Sequence, residues 1–230
     1  MPKTVLITGA NGNLGTAVVR KFMAAGFHVI AVDASQKNLE FAKETGNFEF
    51  HSVDLTDEPA TTSFIKGVQS RHNSISAALL LVGGFAMGGF EATDGNVLRK
   101  MFSLNFETAY YTARPLFLDM LKSGYGRLVF VGARPAIKPD QGKNMIAYAL
   151  SKSLIFRLAE LLNAEAKNKN VVASVIVPST IDTPSNRESM PDADPSKWVK
   201  PEEIADLLEM ICSEKGNVLR ETVLKLYKEA

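Results

Sequence analysis

Apolar residues along the chain follow two alternating patterns. Runs of consecutive apolar or β-branched residues predict buried strands, and segments with apolar residues every three or four positions predict helices. Strands are predicted at 4–8, 27–32, 48–53, 75–82, 127–131, 171–177 and 221–227. Helices are predicted at 14–25, 37–44, 59–71, 96–122, 146–167 and 201–213. Pro115 is expected to kink the long helix 96–122.

This alternation predicts an α/β fold. Because the strands are continuously apolar, both faces of their sheet must be covered. We therefore expect residues 1–230 to form a single Rossmann-type doubly wound domain, with a mostly parallel seven-stranded sheet and helices on both faces. Polar loops at 83–95, 132–147 and 179–200 follow strand ends, where doubly wound folds bind ligands, and are expected to form a substrate pocket.

Composition excludes several classes of protein. The 230 residues contain 26 Lys+Arg and 25 Asp+Glu, a net charge of +1, so bulk charge favours neither nucleic acid nor an anionic membrane as a partner. The single cysteine, Cys212, fits a reducing compartment, and we expect a cytoplasmic protein with Cys212 as a small core residue. No stretch is typical of a signal peptide or a spanning helix. We expect no metal site.

A glycine-rich turn, Thr8-Gly9-Ala10-Asn11-Gly12-Asn13-Leu14-Gly15, follows the first predicted strand. Glycines there let the backbone turn tightly, approach a pyrophosphate and pack the following helix on the sheet, while N–H groups at the helix N-terminus face the anion. This placement predicts a dinucleotide site. Its candidate ligands are Gly9, Asn11, Gly12, Asn13, Leu14 and Gly15.

Two acidic residues end the next two strands. Asp33, 18 residues after Gly15, could accept hydrogen bonds from a ribose diol and would repel a 2′-phosphate. The glycine turn contains no Lys or Arg, so NAD(H) is favoured over NADP(H), with Lys37 as the residue that could reverse this preference. The alternative for Asp33 is a turn or capping residue. Asp54 and Leu55 lie where an adenine edge could be recognised, although Asp54 could equally be only a turn residue.

Tyr148 and Lys152 are one helical turn apart, on one face of a predicted helix. A phenol with an ordinary pKa near 10 transfers protons poorly at neutral pH. A neighbouring ammonium and a nicotinamide cation would lower the pKa of the phenol towards the working range. The pair is therefore a candidate for acid–base chemistry.

With these features, the sequence resembles the short-chain dehydrogenase/reductase family over essentially its whole length. The residues that carry the resemblance are the turn at 8–15, Asp54, the strand end at 81–84, Asn105, the stretch 148–152, and Pro178 followed by Thr183. The resemblance implies that Tyr148 is the acid/base, that Lys152 holds the ribose and lowers the tyrosine pKa, and that Asn105 supports a water-linked proton path. The alternative for Asn105 is a polar surface residue.

The resemblance also implies further cofactor contacts and an assembly. The remaining candidate cofactor ligands are Gly83, Gly84, Tyr148, Lys152, Pro178, Ile181 and Thr183. In this family, helices equivalent to 96–122 and 146–167 form a four-helix interface. A homodimer through these helices is therefore expected.

One departure from the family is informative. The family's catalytic serine usually closes the fifth strand, but Val131-Gly132-Ala133-Arg134 offers no hydroxyl to polarise a carbonyl. The dihydropteridine reductase branch shares this departure, and the stretches 82–89, 132–136 and 181–194 are similar to that branch. A quinonoid ring is already electrophilic, so it needs such a serine less. This resemblance implies an NADH-dependent reductase of a quinonoid dihydropterin or a similarly activated ring.

Four residues are candidates for substrate contact: Phe85, Ala133, Met145 and Met190. Phe85 could instead pack in the core, Met145 and Met190 could only anchor their loops, and Arg187 could pair with nearby acids. Two other functions remain open. One is a reductase of an unrelated carbonyl or quinone, and the other is a non-catalytic NAD(H)-binding sensor or scaffold.

Overall fold

The computed structural model describes residues 3–229, which form one sheet covered by helices on both faces. The strands are β1 (Thr4–Thr8), β2 (His28–Asp33), β3 (Phe48–Ser52), β4 (Ala77–Leu80), β5 (Tyr125–Val131), β6 (Asn170–Pro178) and β7 (Val223–Leu226). Their order is β3-β2-β1-β4-β5-β6-β7, and each pairing between these described strands is parallel. The predicted fold class is confirmed.

Eight α-helices lie within the described residues. They are α1 (Asn13–Ala24), α2 (Glu58–Arg71), α3 (Gly95–Phe102), α4 (Thr108–Ser123), α5 (Pro139–Gly142), α6 (Ile146–Glu165), α7 (Pro184–Ser189) and α8 (Pro201–Cys212). Local signals set several ends. Asp57 caps α2 by accepting a 2.9 Å hydrogen bond from the Ala60 amide, and Gly124 ends α4 with a left-handed φ of 78°.

Two predicted helices differ from the structure. The segment predicted as a helix at 37–44 is a 3₁₀ helix, Lys37–Ala42, which buries Leu39 and Ala42. The long helix predicted at 96–122 is interrupted by a turn of π-helix at Ser103–Glu107. Pro115 lies inside α4, which continues from Thr108 to Ser123.

Alternate strand residues face two separate cores. The Leu6 face of the sheet is covered by apolar residues of α2, α4 and α6, and the Val5 face by those of α1 and α8. Both faces are therefore buried, which explains why the strands contain consecutive apolar residues.

The strand order reverses between β1 and β4, and the three long loops lie at the carboxyl edge beside this point. Gly88 joins two of these loops, since its amide donates to Asn144 O at 2.8 Å and its carbonyl accepts from the Ile146 amide at 3.0 Å. The third loop is closed on itself by a bridge between Ile181 and Val199. The loops at this edge are therefore held in place by backbone hydrogen bonds.

Cys212 is buried at the end of α8, and burial raises the pKa of its thiol to about 12. The expectation of a core residue is confirmed. Over residues 3–229, none of the helices has the length and apolar character needed to cross a membrane.

Candidate active site

The glycine turn after β1 is held in a shape that only small residues allow. Gly9 has a left-handed φ of 66°, and a Cβ at Gly15 would overlap the Gly9 carbonyl oxygen. Gly12 is the N-cap of α1 and brings no side chain to the first-turn amides of Asn13, Leu14 and Gly15, and no acidic residue lies in that turn. These amides have no partner within the helix, so the turn fits a phosphate anion.

Asp33 stabilises this turn from the end of β2. Its Oδ2 accepts a 3.0 Å hydrogen bond from the Asn11 amide, and its Oδ1 accepts one of 2.7 Å from the Ala34 amide. Asn38 holds Asn11 in place through two hydrogen bonds. Its backbone amide donates to Asn11 Oδ1 at 2.7 Å, and its Nδ2 donates to the Asn11 carbonyl at 2.9 Å. Asp33 is therefore both a turn residue and a carboxylate beside the glycine turn.

Asp54 and Leu55 follow β3 and differ in role. The Asp54 carboxylate is exposed, and Oδ1 accepts from the Thr56 amide at 2.9 Å and from its hydroxyl at 2.6 Å. These hydrogen bonds lower the pKa of Asp54. Leu55 is buried in the core. Asp54 thus stabilises a turn through one carboxylate oxygen, while its second oxygen remains on the surface.

The chain after β4 passes very close to two candidate catalytic residues. A Cβ at Gly83 would stand 2.8 Å from Asn105 Oδ1 and 3.1 Å from Lys152 Nζ. At Gly84, the amide donates to Asn105 Oδ1 at 2.9 Å and the carbonyl accepts from Asn105 Nδ2 at 3.0 Å. The glycines at 83 and 84 therefore let the chain lie directly on these side chains.

Asn105 is 1% exposed and lies in the π turn, so the alternative of a surface residue is wrong. Its Nδ2 also donates to the buried Ser151 hydroxyl at 3.0 Å, and that hydroxyl donates to the Tyr148 carbonyl at 2.9 Å. The amide thus joins the end of β4 to the turn of α6 that carries Tyr148. A π turn widens a helix locally and is frequent at functional sites.

Lys152 is 5% exposed, and its Nζ donates a 2.8 Å hydrogen bond to the carbonyl of Val131. Burial lowers the pKa of Lys152 to about 8, so the side chain is still mainly charged at neutral pH. A charged donor at this depth is available to a ribose hydroxyl beside Gly83.

Tyr148 lies one turn earlier on α6, and its ring meets the Phe85 ring edge to face with centroids 5.1 Å apart. Burial raises the pKa of Tyr148 to about 12 in the protein alone. The resemblance instead implies a pKa lowered by Lys152, and a bound nicotinamide cation would add a second positive charge beside the phenol. Without that charge, Tyr148 is a neutral hydroxyl and a weaker acid than a free phenol.

The end of β5 has no hydroxyl near this pair. Gly132 packs so closely that a Cβ would lie 2.7 Å from the Phe156 ring and 2.9 Å from Val175 Cγ1, and Ala133 is 3% exposed. Ser151 is bonded to Asn105 and Tyr148, and Ser153 donates to the Ala149 carbonyl at 2.7 Å. Neither serine replaces the family's missing hydroxyl.

Apolar side chains lie around the site. Phe85 is 60% exposed, so the alternative of core packing is wrong. Met190 is also exposed, while Met145 is partly buried and its backbone pairs with Gly88. Phe85 thus presents apolar surface beside Tyr148, and Met145 and Met190 lie on the loops that follow two further strands at the same edge of the sheet.

The loop after β6 carries the last cofactor candidates. Pro178 is the buried end of the strand, and Ile181 and Thr183 are partly buried beyond it. Thr183 caps α7 by accepting from the Asn186 amide at 3.2 Å. Arg187 makes a two-point ion pair with Asp182, at 2.6 and 2.9 Å, which confirms the pairing alternative for this arginine.

Comparison with known proteins identifies the family. The model of the family described as short chain dehydrogenase matches residues 3–194. The chain belongs to the short chain dehydrogenase family. It is therefore an oxidoreductase of a family that binds nicotinamide cofactors, and the glycine turn and the Gly83 approach fit such a group.

The proteins that resemble this chain differ in the activities that their names state. A dihydropteridine reductase of Dictyostelium discoideum is 29% identical over 216 residues, covering 90% of this chain and 87% of the relative. A 2-keto-3-deoxy-L-fuconate dehydrogenase of Xanthomonas campestris is 27% identical over 184 residues, covering 80% of this chain and 60% of the relative. The structure of ElxO with NADP bound has a TM-score of 0.89 at 19% identity, covering 98% of this chain and 97% of that one.

Sequence reasoning missed two residues that shape the site. Ser151 connects Asn105 to Tyr148, and Asn38 holds Asn11 in the glycine turn. Ser151 could have been noticed as a polar residue on the buried face of an apolar helix. Asn38 lies 27 residues from its partner and carries no local signal.

Proposed function

We propose that this short chain dehydrogenase is an NADH-dependent reductase of a quinonoid dihydropterin or a similarly activated ring. The observation that carries the proposal is the buried Ala133 at the place of the family's serine, beside Tyr148, Lys152 and Asn105, which are all retained. A site without a hydroxyl to polarise a carbonyl suits a substrate that is already electrophilic. The likeness to a dihydropteridine reductase over 90% of the chain supports the same substrate class.

NADH is proposed over NADPH because of Asp33. Its carboxylate already accepts the Asn11 amide at the rim of the glycine turn, so a 2′-phosphate placed there would meet a negative charge. The NADP bound by ElxO belongs to a protein only 19% identical, which supports the fold alone. The diol of an NADH ribose would find a hydrogen-bond acceptor in Asp33.

Each candidate side chain has a proposed task. NADH supplies the hydride when bound. Tyr148 would donate its phenolic proton to the substrate nitrogen, since burial keeps this hydroxyl neutral. Lys152 would hold the ribose and stabilise the phenolate left behind, because it is buried and mainly charged. Asn105 would act by positioning Gly84 and the first turn of α6.

The substrate would bind under the loops at 83–95, 132–147 and 179–200. Phe85, Ala133, Met145 and Met190 are the proposed contacts, and Phe85 could stack against a planar ring beside Tyr148. The glycine turn, with Asp54, Leu55, Pro178, Ile181 and Thr183, is proposed to complete the cofactor site.

A second candidate function is the reduction of a carbonyl or quinone in an unrelated substrate. The 27% identity to the 2-keto-3-deoxy-L-fuconate dehydrogenase favours this second function. Purified protein should be assayed with NADH against quinonoid 6-methyldihydropterin, generated in the assay, and against a panel of ketones and quinones. Faster turnover of the pterin supports the proposal, and turnover of ketones without the pterin contradicts it.

A non-catalytic NAD(H)-binding role is the third alternative. The Tyr148→Phe variant separates it, because it removes only the hydroxyl and keeps the ring contact with Phe85. The proposed enzyme loses activity by a factor of about a hundred or more in this variant while its affinity for NADH stays unchanged. If no substrate gives turnover that depends on Tyr148, the sensor or scaffold role is preferred.

We also propose a homodimer through α4 and α6. Tyr110 and Leu118 on α4, and Leu150 and Leu161 on α6, are exposed large apolar side chains. Light scattering at micromolar concentration should give twice the mass of the 25.0 kDa chain, and a monomer would contradict the interface. A cytoplasmic location is proposed as well, on the basis of the single buried cysteine.

A further inference from the structure

All three histidines of the chain lie around one carboxylate, Glu49. This carboxylate lies near the amino-terminal ends of β2 and β3, whereas the candidate active site lies at the carboxyl ends of the strands. His28 is the first residue of β2, Glu49 is the second residue of β3, and His72 follows the last residue of α2. Asp33 ends the same strand that His28 begins, so the Cα atoms of His28 and Asp33 are about 17 Å apart at the usual rise per strand residue. The proposed reductase does not use it.

Three of these side chains have the geometry of metal ligands. His28, Glu49 and His72 each offer one ligand atom, and these atoms lie within 4.8 Å of one another. His72 Nε2 is 2.8 Å from Glu49 Oε1, and the rings of His28 and His72 have centroids 5.0 Å apart. Three separate elements thus converge on one point.

His28 supplies the second observation. Its Nε2 is inaccessible to solvent and has no hydrogen-bond partner in the described part of the chain. A buried ring nitrogen without a partner costs free energy unless something binds it. The imidazole and carboxylate groups that lie around this nitrogen indicate that the bound species would be a metal ion.

We propose that His28, Glu49 and His72 form a binding site for a divalent transition metal, with Zn²⁺ as the ion that the donors fit best. Two imidazoles and one carboxylate are a ligand set typical of zinc, whereas Mg²⁺ and Ca²⁺ prefer oxygen ligands alone. In a tetrahedral zinc site the ligand atoms lie about 3.4 Å apart, so a small movement of the three side chains closes the site. The fourth position is open to water. This proposal replaces the expectation of no metal site.

Two further side chains, one of them the cationic Arg71, share the Glu49 carboxylate with this site. His51 Nε2 is 3.3 Å and Arg71 Nη2 is 3.6 Å from Glu49 Oε2, the oxygen that does not face His72. The Arg71 side chain is 49% exposed, so it can move into solvent when an ion binds. The ion would compete with a positive charge and not with a packed core residue.

Metal binding here would tie the end of α2 to β2 and to the edge strand β3. An ion that binds only the folded chain raises the melting temperature, and the increase grows with the logarithm of the ion concentration relative to Kd. The site is thus structural, and its test does not depend on the reductase activity or on whether the proposed substrate is correct.

The test is a zinc titration by calorimetry on the full chain, freed of any histidine tag and treated with chelator. Wild type should bind one Zn²⁺ per chain and melt several degrees higher with zinc. His72→Gln and His28→Gln should each lose at least tenfold in zinc affinity. Glutamine at 72 retains a donor for Glu49, and circular dichroism confirms that each variant is folded.

His51→Gln is the matched control, because His51 touches the same carboxylate but lies outside the ligand set. It should bind zinc as wild type does. Co²⁺ should give the visible absorption of a tetrahedral site in wild type and in His51→Gln, and not in His72→Gln. Absence of zinc binding by wild type, or equal binding by wild type, His28→Gln and His72→Gln, overturns the proposal.

Arg71→Gln gives an independent check, because it should strengthen zinc binding whereas the His28 and His72 variants weaken it. Removing the positive charge beside Glu49 Oε2 should tighten zinc binding severalfold at low salt, and the gain should shrink as salt increases. Unchanged affinity at low salt would mean that the ion does not bind next to Glu49, and this would also overturn the proposal.

Discussion

The Nζ of Lys152 donates a 2.8 Å hydrogen bond to the carbonyl of Val131, the last residue of β5. This contact ties the buried ammonium to the strand that is followed by Gly132 and Ala133, two residues without a hydroxyl. Burial lowers the pKa of Lys152 to about 8, so the fold keeps a charged group where it is costly. Such a cost at a candidate ribose contact suggests a functional reason for the charge.

The first prediction concerns the pH dependence of stability. Lys152 has a pKa of about 8 in the folded chain and an ordinary value of 10.5 when unfolded, so between these values only the unfolded chain binds the proton. Stability contributed by this group therefore rises with pH. From pH 7 to 10.5, the unfolding free energy of wild type should increase relative to Lys152→Met by about 3 kcal/mol. Urea unfolding at several pH values measures it.

The control for this prediction is Lys143→Met, which replaces an exposed lysine on a nearby loop. Its difference from wild type gives the background change in unfolding free energy over the same pH range. If Lys152→Met and Lys143→Met behave alike, the buried lysine is not charged at a cost in the folded chain.

The second prediction concerns Asn105. Its amide makes hydrogen bonds of 2.9 to 3.0 Å to the Gly84 amide, the Gly84 carbonyl and the Ser151 hydroxyl. Asn105→Ala removes the side-chain partner of the partly buried Gly84 amide and carbonyl, takes one of two partners from the Ser151 hydroxyl, and should cost about 2–4 kcal/mol of unfolding free energy. Asn96→Ala, at an exposed position of α3, should cost only about 0.5 kcal/mol or less. Equal losses in the two variants would contradict this role.

The sequence was sufficient to predict the strands, the sheet class and the glycine turn, because these depend on local patterns of apolar residues and glycines. It did not predict the π turn around Asn105, since the apolar spacing continues through it and only the long-range contacts with Gly84 and Ser151 distinguish it. The cluster around Glu49 was missed for the same reason, as its histidines are far apart in sequence and meet only through the packing of α2 on β2 and β3.

The third prediction concerns Gly83. A Cβ at this position would stand 2.8 Å from Asn105 Oδ1 and 3.1 Å from Lys152 Nζ, so Gly83→Ala must displace one of them. We expect the affinity for NADH to fall by about tenfold or more, since an error of about 1 Å in a positioning group can be that costly. Gly89→Ala is the control on the same loop, because its nearest neighbour would be 3.4 Å away. Fluorescence titration with NADH compares the two variants.

The fourth prediction concerns cofactor choice. Asp33→Asn keeps an oxygen that can accept the Asn11 amide but removes the negative charge. The ratio of NADPH to NADH affinity should increase by about tenfold or more, because repulsion of the 2′-phosphate is relieved while the glycine turn keeps its hydrogen bond. Asp33→Ala removes both the hydrogen-bond acceptor and the negative charge, and should weaken binding of both cofactors. An unchanged ratio in Asp33→Asn would mean that Asp33 does not face the ribose.

The last prediction concerns the Phe85 ring, which meets Tyr148 edge to face while 60% of the side chain is exposed. If Phe85 stacks on a planar substrate, Phe85→Ala should raise KM for the pterin by about tenfold, the loss of one aromatic contact, and leave NADH affinity unchanged. Phe90→Ala, an 87% exposed ring on the same loop, serves as the control and should change KM little. A fall in kcat at constant KM would instead mean that Phe85 orients the Tyr148 phenol, because its ring contact would then matter only in the reacting complex.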